Sequence, residues 1–214
     1  MKTNERIDDY LDSLCPGNSV IIEQIRKQAI DEKMPIIRRD GEALLKTLLK
    51  SKQPKSILEI GTCVGYSAIV MASVCDAEIT TIEIGKDDYE KALANVAVSG
   101  YKDRINCIHA DATDVLKAMV SADTKFDFVF MDAAKAQYMI WLGDVERIIA
   151  KGGILLSDNV LLEGDTVESR FALDRRDRTE HKRMRDYLYE LTHSEKWQTA
   201  VITSADGMAI SVRL

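Results

Sequence analysis

Apolar and polar positions follow two different rhythms along this chain, and the change between them divides the sequence. Up to residue 52 the apolar positions recur at helical spacing, which predicts helices punctuated by Pro16–Gly17 and Pro35, the last helix covering 40–52. From residue 55 onward, short continuous apolar runs alternate with amphipathic stretches. Continuous apolar runs are typical of strands that are buried on both faces, so the pattern predicts an α/β protein with a parallel sheet.

The predicted elements after residue 55 come in a regular order. Strands are predicted at 55–60, 77–83, 104–110, 126–132 and 154–159, with helices between them at 65–75, 86–100, 111–122 and up to about Ala150. A further helix at about 176–193 then precedes two strands, 197–203 and 207–214, whose short connection SADG requires an antiparallel pair. Right-handed crossovers make the whole a doubly wound, Rossmann-like sheet.

Length, composition and charge exclude several classes of protein. The 214 residues suit a single domain over 1–214, and 46% apolar with 30% charged residues is too apolar for disorder. No run approaches the ~20 apolar residues of a membrane span and the polar start is no signal peptide, so we expect a cytoplasmic protein without a membrane partner. The four cysteines and three histidines show no zinc or redox spacing. The net charge of −6 argues against non-specific coating of nucleic acid, although a local basic patch can still meet phosphates.

Each of the five predicted parallel strands ends on or beside an acidic residue. These residues are Glu59, Glu83, Asp111, Asp132 and Asp158. Ligands of an open parallel sheet sit at the carboxyl ends of its strands, so this edge is the predicted site. Glu83 is placed either to accept both hydroxyls of a ribose or to be a solvated carboxylate. Asp111 is placed to accept from an adenine amino group, to cap the next helix, or to do both.

The loop after the first strand, GTCVG, has glycines at Gly61 and Gly65 and Cys63 between them. A dinucleotide-binding fingerprint has a glycine at that middle position, where the backbone approaches a pyrophosphate. The loop is therefore built to pass close to a ligand without an obvious pyrophosphate cradle. A glycine turn that serves packing alone would have the same sequence.

Five segments in this order and spacing resemble the cation-dependent class I O-methyltransferases, which use S-adenosylmethionine and include the catechol and caffeoyl-coenzyme A types. The segments are LEIGTCVGYSA, TIE, HADA, MDAAKAQY and LSDN, and the resemblance covers about 34–214. It implies N-terminal helices and a lid within 1–52, a catalytic part over 55–214, and the sheet order 3-2-1-4-5-7-6 with strand seven antiparallel. The residues that it places around S-adenosylmethionine are Ile37, from the lid, and Glu59, Gly61, Tyr66, Ser67, Glu83, Asp111, Ala112 and Asp132.

The resemblance also assigns a divalent cation, Mg²⁺ or a similar ion, to Asp132, Asp158 and Asn159. Three oxygen donors at neighbouring strand ends suit a hard cation that keeps positions open for water or substrate. Without the resemblance, a turn and a helix cap would explain the three residues as well. A cation that chelates two vicinal oxygens of the acceptor lowers the pKa of one acceptor hydroxyl. Lys135 is close enough to Asp132 in the sequence to face the same site and to accept the proton of that hydroxyl. Asp132 and Lys135 are therefore the predicted catalytic residues, although Lys135 as a solvent-facing helix residue is the alternative.

Two classes of methyl acceptor offer the vicinal oxygens that this chemistry needs. One is a catechol-like or caffeoyl-coenzyme A-like small molecule, and the other is 5-hydroxyuridine at the wobble position of tRNA, which would become 5-methoxyuridine. The sequence most resembles the bacterial tRNA 5-hydroxyuridine methyltransferases, through its short N-terminal helices, MPII, DAAKAQY and the ending WQTAVITSADGMAIS. This resemblance favours tRNA as the partner, and by analogy with such relatives we expect a homodimer.

A basic cluster between residues 170 and 186 is an independent indication of tRNA. Seven basic residues against four acidic ones leave +3 there, in a chain whose total is −6. The seven are Arg170, Arg175, Arg176, Arg178, Lys182, Arg183 and Arg185. Together with Arg38 and Arg39 in the predicted lid they could grip phosphates, with guanidinium planes stacked on unpaired bases. A solvated, salt-bridged helix or a dimer interface explains the cluster as well.

A nucleotide-binding dehydrogenase and a catalytically silent binding domain can have the same fold. Cys63 interrupts the glycine fingerprint and so argues against the dehydrogenase. The predicted cation ligands together with Lys135 argue against the silent domain.

Overall fold

The computed structural model of the chain describes Tyr10, residues 12–169 and residues 171–214. Its strands are β1 (Ser56–Ile60), β2 (Glu78–Glu83), β3 (Ile105–His109), β4 (Phe126–Met131), β5 (Ile149–Ser157), β6 (Trp197–Ile202) and β7 (Met208–Arg213). Its helices include α1 (Val20–Asp31), α2 (Arg39–Lys52), α3 (Tyr66–Val74), α4 (Lys86–Ser99), α5 (Ala112–Ser121), α6 (Tyr138–Ile148) and α7 (Arg178–His193). Short 3₁₀ turns occur at Lys102–Arg104, Lys135–Gln137, Leu162–Val167 and Ser204–Asp206. In the described ranges no helix is both long and apolar enough to cross a membrane.

The strands form one seven-stranded sheet in the order β3-β2-β1-β4-β5-β7-β6. The pairs β1–β2, β2–β3 and β4–β5 are parallel, whereas β7 is antiparallel to both β5 and β6. The predicted Rossmann-like fold, the sheet order and the antiparallel seventh strand are therefore confirmed.

One predicted boundary is wrong, because β5 is longer than its sequence suggests. The pattern predicts a helix to about Ala150 and a strand over 154–159, whereas the helix ends at Ile148 and the strand begins at Ile149. The Gly152–Gly153 pair lies inside β5, where the pairing with β4 shifts in register. Glycines inside a strand often mark such an irregularity. A pair that looks like a turn in the sequence is therefore part of the strand.

Contacts divide the described residues into two compact units, one ending at Ala112 and the other running from Thr113 to Leu214. A single domain over 1–214, with the division at 1–52 and 55–214, stays a prediction.

The first unit has its core on β1 and α3. Strand β1 is buried from Ile57 to Ile60, as expected of a parallel strand that is covered on both faces. Six of the nine residues of α3 are buried, so this helix is apolar on nearly all sides. A rigid strand and a buried helix therefore fix both ends of the loop that begins at Gly61.

The second unit has its core on β4, β5 and the helices α6 and α7. Strand β4 is buried from Phe128 to Met131, and β5 is buried from Leu155 to Ser157. The side chains of α6 and α7 that pack here include Tyr138 and Tyr187, both fully buried. The residues that directly follow β4 and β5 are therefore held by well-packed strand ends.

Candidate functional site

The loop after β1 is shaped by glycines in the left-handed backbone conformation. Gly61 has a φ of 98°, and Gly65, directly before α3, has a φ of 78°. A Cβ on Gly65 would lie 3.3 Å from both the Cα and the Cβ of Ala92 in α4. Glycine is thus required at position 65 by the backbone angle and by the approach of a neighbouring helix.

We expect Gly65→Ala to destabilise the protein more than Gly100→Ala does. Both glycines have a left-handed φ, of 78° and 84°, and alanine in that conformation costs about 1–2 kcal/mol. Only at position 65 does the added Cβ meet a neighbour within 4 Å. Urea denaturation followed by circular dichroism measures both losses in the free energy of unfolding. Equal losses would show that close packing is not what position 65 requires.

Glu83, at the end of β2, is held by backbone amides of two loops. Its Oε2 accepts a hydrogen bond from the amide of Cys63 and its Oε1 accepts one from the amide of Gly85, each at 2.8 Å. These bonds do not fit the alternative of a loosely solvated carboxylate. Each oxygen keeps a further lone pair, so Glu83 is a fixed acceptor of the kind that recognises ribose hydroxyls.

The other predicted cofactor residues of the first unit differ in accessibility. Glu59 is fully buried and accepts a hydrogen bond from the hydroxyl of Thr81. Asp111 is exposed directly before α5, Ala112 is buried at the start of that helix, and Ser67 is half-buried. Both roles considered for Asp111, a helix cap and an acceptor for adenine, fit this place.

Tyr66 is held in a buried polar network. Its hydroxyl donates to Oε2 of Glu42 at 2.6 Å, and Glu42 is only 2% exposed. Lys46 pairs with Oε1 of Glu42 at 2.6 Å, and Asn18 donates to the same oxygen at 2.9 Å. Burial and the bond to Glu42 raise the pKa of Tyr66 above its usual range. The hydroxyl of Tyr66 is therefore engaged within the first unit.

The predicted lid is tied to α1. Ile37 is 3% exposed, and its carbonyl accepts a hydrogen bond from Nη1 of Arg26 at 3.1 Å. Arg39 forms an ion pair with Glu23, and its hydrogen bond lowers the pKa of Glu23 to about 2. Arg39 is thus engaged within the first unit, whereas Arg38 is exposed.

In the second unit, Asp158 directly follows β5 and is only 2% exposed. Its amide donates to the carbonyl of Met131 at 3.0 Å, and its Oδ1 accepts from the amide of Asn159 at 2.7 Å. Burial, and next the negative charge of Asp132, raise the pKa of Asp158 to about 7. The two carboxylates therefore repel each other, which a bound divalent cation would relieve.

Lys135 lies in the 3₁₀ turn after β4, and its side chain points to Asp132. Its Nζ donates to Oδ1 of Asp132 at 2.7 Å and to the hydroxyl of Tyr138 at 3.1 Å. The Lys135 side chain is 16% exposed, so the solvent-facing alternative is wrong. No role is predicted for Tyr138 from the sequence, although its place three residues after Lys135 puts both side chains on one face of a helical turn.

Asn159 borders an acidic cavity of the second unit. Its backbone is left-handed, with a φ of 54°, a conformation that asparagine tolerates. The cavity has a volume of about 400 Å³. Its charged lining residues are Glu163, Asp165, Asp177, Glu180 and Asp206. An anionic group is therefore disfavoured directly beside Asn159.

The donors at these strand ends fit a magnesium-like ion better than zinc. Within the described ranges, no group of three or more His, Cys, Asp and Glu side chains is placed to hold a metal ion. The predicted set offers the two carboxylates of Asp132 and Asp158 and the amide oxygen of Asn159. Mg²⁺ is commonly bound through one or two carboxylates and keeps several waters, whereas zinc takes nitrogen and sulfur ligands.

Contacts divide the basic cluster into internal and exposed members. Arg178 donates to the carbonyl of Leu173, and Arg183 donates to the carbonyl of Ala136 at 3.0 Å, so the fold uses both guanidinium groups. The members with exposed side chains are Arg175, Arg176, Lys182, which pairs with Asp186, and Arg185. Arg170 lies outside the described residues. Sequence alone does not separate these two groups.

Comparison with known proteins identifies the family. The family model described as O-methyltransferase matches residues 13–214. A caffeoyl-CoA O-methyltransferase of Populus kitakamiensis is 30% identical over 166 residues, which are 72% of this chain and 69% of the relative. A crystal structure of a Staphylococcus aureus protein assigned as a caffeoyl-CoA O-methyltransferase is 30% identical, with a TM-score of 0.89 over 98% of this chain and 100% of that one. An O-methyltransferase of Bacillus cereus in complex with SAH has a TM-score of 0.85 over 98% and 97% of the two chains, and at 20% identity it shows the fold alone. The chain belongs to the O-methyltransferase family.

Proposed function

We propose that this O-methyltransferase transfers the methyl group of S-adenosylmethionine to one of two neighbouring oxygens on an acceptor that a divalent cation holds. The observation that carries the proposal is the carboxylate of Asp158, which is buried directly after the end of β5 and is repelled by the carboxylate of Asp132. Burying such a charge costs several kcal/mol unless a partner compensates it, so the arrangement favours a functional role over a structural one.

The first unit supplies the proposed donor site. S-adenosylmethionine brings an activated methyl group when it is bound. Glu83 has its two oxygens oriented by loop amides, ready to accept ribose hydroxyls. Gly61 and Gly65 allow the backbone to come close to the donor, and the exposed Asp111 accepts from adenine. The remaining predicted contacts, among them Asp132, stay predictions.

The second unit supplies the proposed cation ligands and the base. Asp132, Asp158 and Asn159 would hold a divalent cation, which would supply Lewis-acid stabilisation of the charge that forms when an acceptor hydroxyl loses its proton. Lys135 donates to Asp132 through Nζ at 2.7 Å. Once Lys135 has lost one proton from its ammonium group to solvent, the neutral amine has a lone pair with which it can accept the hydroxyl proton. Positioning of the deprotonated oxygen in line with the methyl group then lowers the barrier.

Small aromatic diols are the first acceptor class that we propose. The support is the 30% identity to a caffeoyl-CoA O-methyltransferase over most of this chain. The acidic cavity beside Asn159 adds a constraint, since it would repel the phosphates of a coenzyme A ester. The uncharged aromatic end can enter there, and the phosphates have to lie elsewhere. A second cavity, of about 330 Å³, is lined by Lys182 and Arg185 together with one acid, Asp186, so it repels phosphates less than the acidic cavity does.

tRNA carrying 5-hydroxyuridine is the second acceptor class that we propose, although it is the acceptor that the sequence favours. One observation favours it, which is that Phe171 is 80% exposed in the same segment as the exposed Arg175 and Arg176. Aromatic rings and guanidinium planes of this kind stack on unpaired bases. The relatives described above favour the small-molecule class.

Transfer of a tritiated methyl group tests the proposal directly. Purified protein would receive labelled S-adenosylmethionine and Mg²⁺ with catechol, caffeoyl-coenzyme A or tRNA that carries 5-hydroxyuridine. We expect label in one acceptor class and its loss when EDTA removes the cation. Transfer that is unaffected by EDTA would contradict the cation's role. Calorimetry with S-adenosylmethionine and with NAD separates a methyltransferase from a dehydrogenase. We expect S-adenosylmethionine to bind and NAD not to bind.

Charge reversal in the exposed basic cluster distinguishes the two acceptor classes. If tRNA is the acceptor, Arg175→Glu with Arg176→Glu should weaken tRNA binding and flatten its dependence on salt, because fewer counterions are released. Filter binding between low and high salt measures both quantities. The matched control reverses Lys50 and Lys55, two exposed lysines of the first unit. Unchanged binding in the cluster variant would favour a small acceptor.

A further inference from the structure

Tyr138 places a polar group at the end of two strands, although it is fully buried. Its hydroxyl lies 2.8 Å from the carbonyl oxygen of Met131 and 3.1 Å from that of Asp158. The Nζ of Lys135 donates to the same hydroxyl at 3.1 Å. Met131 is the last residue of β4 and directly precedes Asp132. One hydroxyl therefore touches the backbone next to both proposed carboxylate ligands and the proposed base.

We propose that Tyr138 is a positioning residue that fixes Asp132, Asp158 and Lys135 relative to one another. It contacts neither of the two acidic side chains, and acts through the backbone that carries them and through the amine. The inference rests on the proposed function, because only transfer at a cation gives this geometry a purpose.

The hydrogen-bonding capacity of a phenol matches these three neighbours. A phenol has one proton to donate and lone pairs to accept with, and a carbonyl can only accept. The proton therefore goes to the carbonyl of Met131 or to that of Asp158, and a lone pair is left for the N–H of Lys135. Phenylalanine would fill the same volume but offer none of these bonds. Its ring would leave two buried carbonyls and a buried amine with one partner fewer.

Neighbouring contacts hold both Tyr138 and the turn that carries Lys135. The ring of Tyr138 packs edge-on against Tyr187 of α7, with 5.5 Å between the ring centroids. Nη1 of Arg183, also on α7, donates to the carbonyl of Ala136 at 3.0 Å. The turn that holds Lys135 is thus anchored by the hydroxyl of Tyr138 on one side and by α7 on the other. The guanidinium of Arg183, a member of the basic cluster predicted to contact phosphates, is therefore used in holding this turn.

The test compares Tyr138→Phe with Tyr187→Phe in the 214-residue chain. Tyr187 is a matched control, since it is also fully buried and its hydroxyl bonds to Ser157 at 2.5 Å. Each change removes one buried hydroxyl, so both variants should lose a similar few degrees of melting temperature. We expect kcat to fall about 10–100-fold in the Tyr138 variant only, with the KM for S-adenosylmethionine within about twofold of wild type.

A second measurement does not depend on activity. Calorimetric titration with MgCl₂ should give an affinity about tenfold weaker for Tyr138→Phe and close to wild type for Tyr187→Phe, because loss of a supporting hydrogen bond loosens the ligands. Equal kcat and equal Mg²⁺ affinity in the two variants would overturn the inference. Failure of the proposed function has a different signature, since the wild-type protein itself would then bind no Mg²⁺ or transfer no methyl group.

Discussion

Asp158→Asn is expected to abolish methyl transfer and, at the same time, to stabilise the cation-free protein. Asparagine has nearly the same shape but no charge, so the proposed cation loses a ligand that it needs. A polarising cation contributes several kcal/mol to the transition state, and we therefore expect kcat/KM to fall about 10³-fold or more. Methyl transfer to whichever acceptor takes up label in the tritium experiment, with saturating Mg²⁺, measures this loss.

The gain in stability follows from the burial of Asp158. Burial and the charge of Asp132 raise the pKa of this carboxyl from 3.8 to about 7. Between these two values the folded protein keeps a proton that the unfolded chain has lost, so the free energy of unfolding decreases as the pH rises. Asparagine does not titrate, so in Asp158→Asn this decrease in the free energy of unfolding should be absent. The melting temperature of Asp158→Asn in EDTA should therefore exceed that of wild type by more at about pH 8 than at about pH 5.

Asp123→Asn is the matched control for this experiment. Asp123 belongs to the same unit but its side chain is 87% exposed and pairs with Lys125 at the surface. Exposed ion pairs contribute about 0–1 kcal/mol, so neither activity nor the pH dependence of melting should change. Wild-type activity in Asp158→Asn would contradict the proposal that the carboxylate after β5 is a cation ligand. A lower melting temperature at every pH would show that the charged form of Asp158 is compensated in the fold.

The fold follows from local pattern to a large extent, and particular residues show why. The carboxylates at positions 59, 83, 132 and 158 end or follow apolar runs, and a parallel sheet brings the carboxyl ends of its strands to one edge. Both the runs and the crossovers are visible in the sequence. The start of β5 is not visible in the sequence. A glycine pair usually indicates a turn, and the irregularity around Gly152–Gly153 that keeps this pair inside the strand depends on pairing with β4.

The partners of the site residues are less predictable than the residues themselves. The bond between Tyr66 and Glu42 joins positions 24 apart, and the bond between Arg183 and Ala136 joins positions 47 apart. Such partners are chosen by tertiary packing, on which the spacing of residues along the chain carries no information. Lys135 and Tyr138 are the informative exception, since their separation by three residues is local. The sequence therefore contained a signal for Tyr138, but its burial was needed to give that signal a meaning.

Lys135→Ala should abolish methyl transfer while S-adenosylmethionine still binds with nearly wild-type affinity. The change removes the amine that faces Asp132 and Tyr138 and leaves the glycine loop and Glu83 of the first unit untouched. Loss of a positioned general base lowers kcat by about 10²–10⁴-fold. Single-turnover transfer measures the chemical step, and calorimetry measures the affinity for S-adenosylmethionine.

Loss of activity in Lys135→Ala has two possible causes, because Lys135 is both the proposed base and the cation that pairs with Asp132. A second variant separates them. Lys135→Arg keeps the positive charge and the ability to donate, but its guanidinium does not give up a proton near neutral pH. If Lys135 is the base, the arginine variant should be as inactive as the alanine variant, although it binds S-adenosylmethionine and melts like wild type. Lys125→Ala, which removes an exposed lysine 2.6 Å from Asp123, should keep full activity as the control. Substantial turnover in Lys135→Arg would assign the residue to charge balance, and the proton would then have to leave to water.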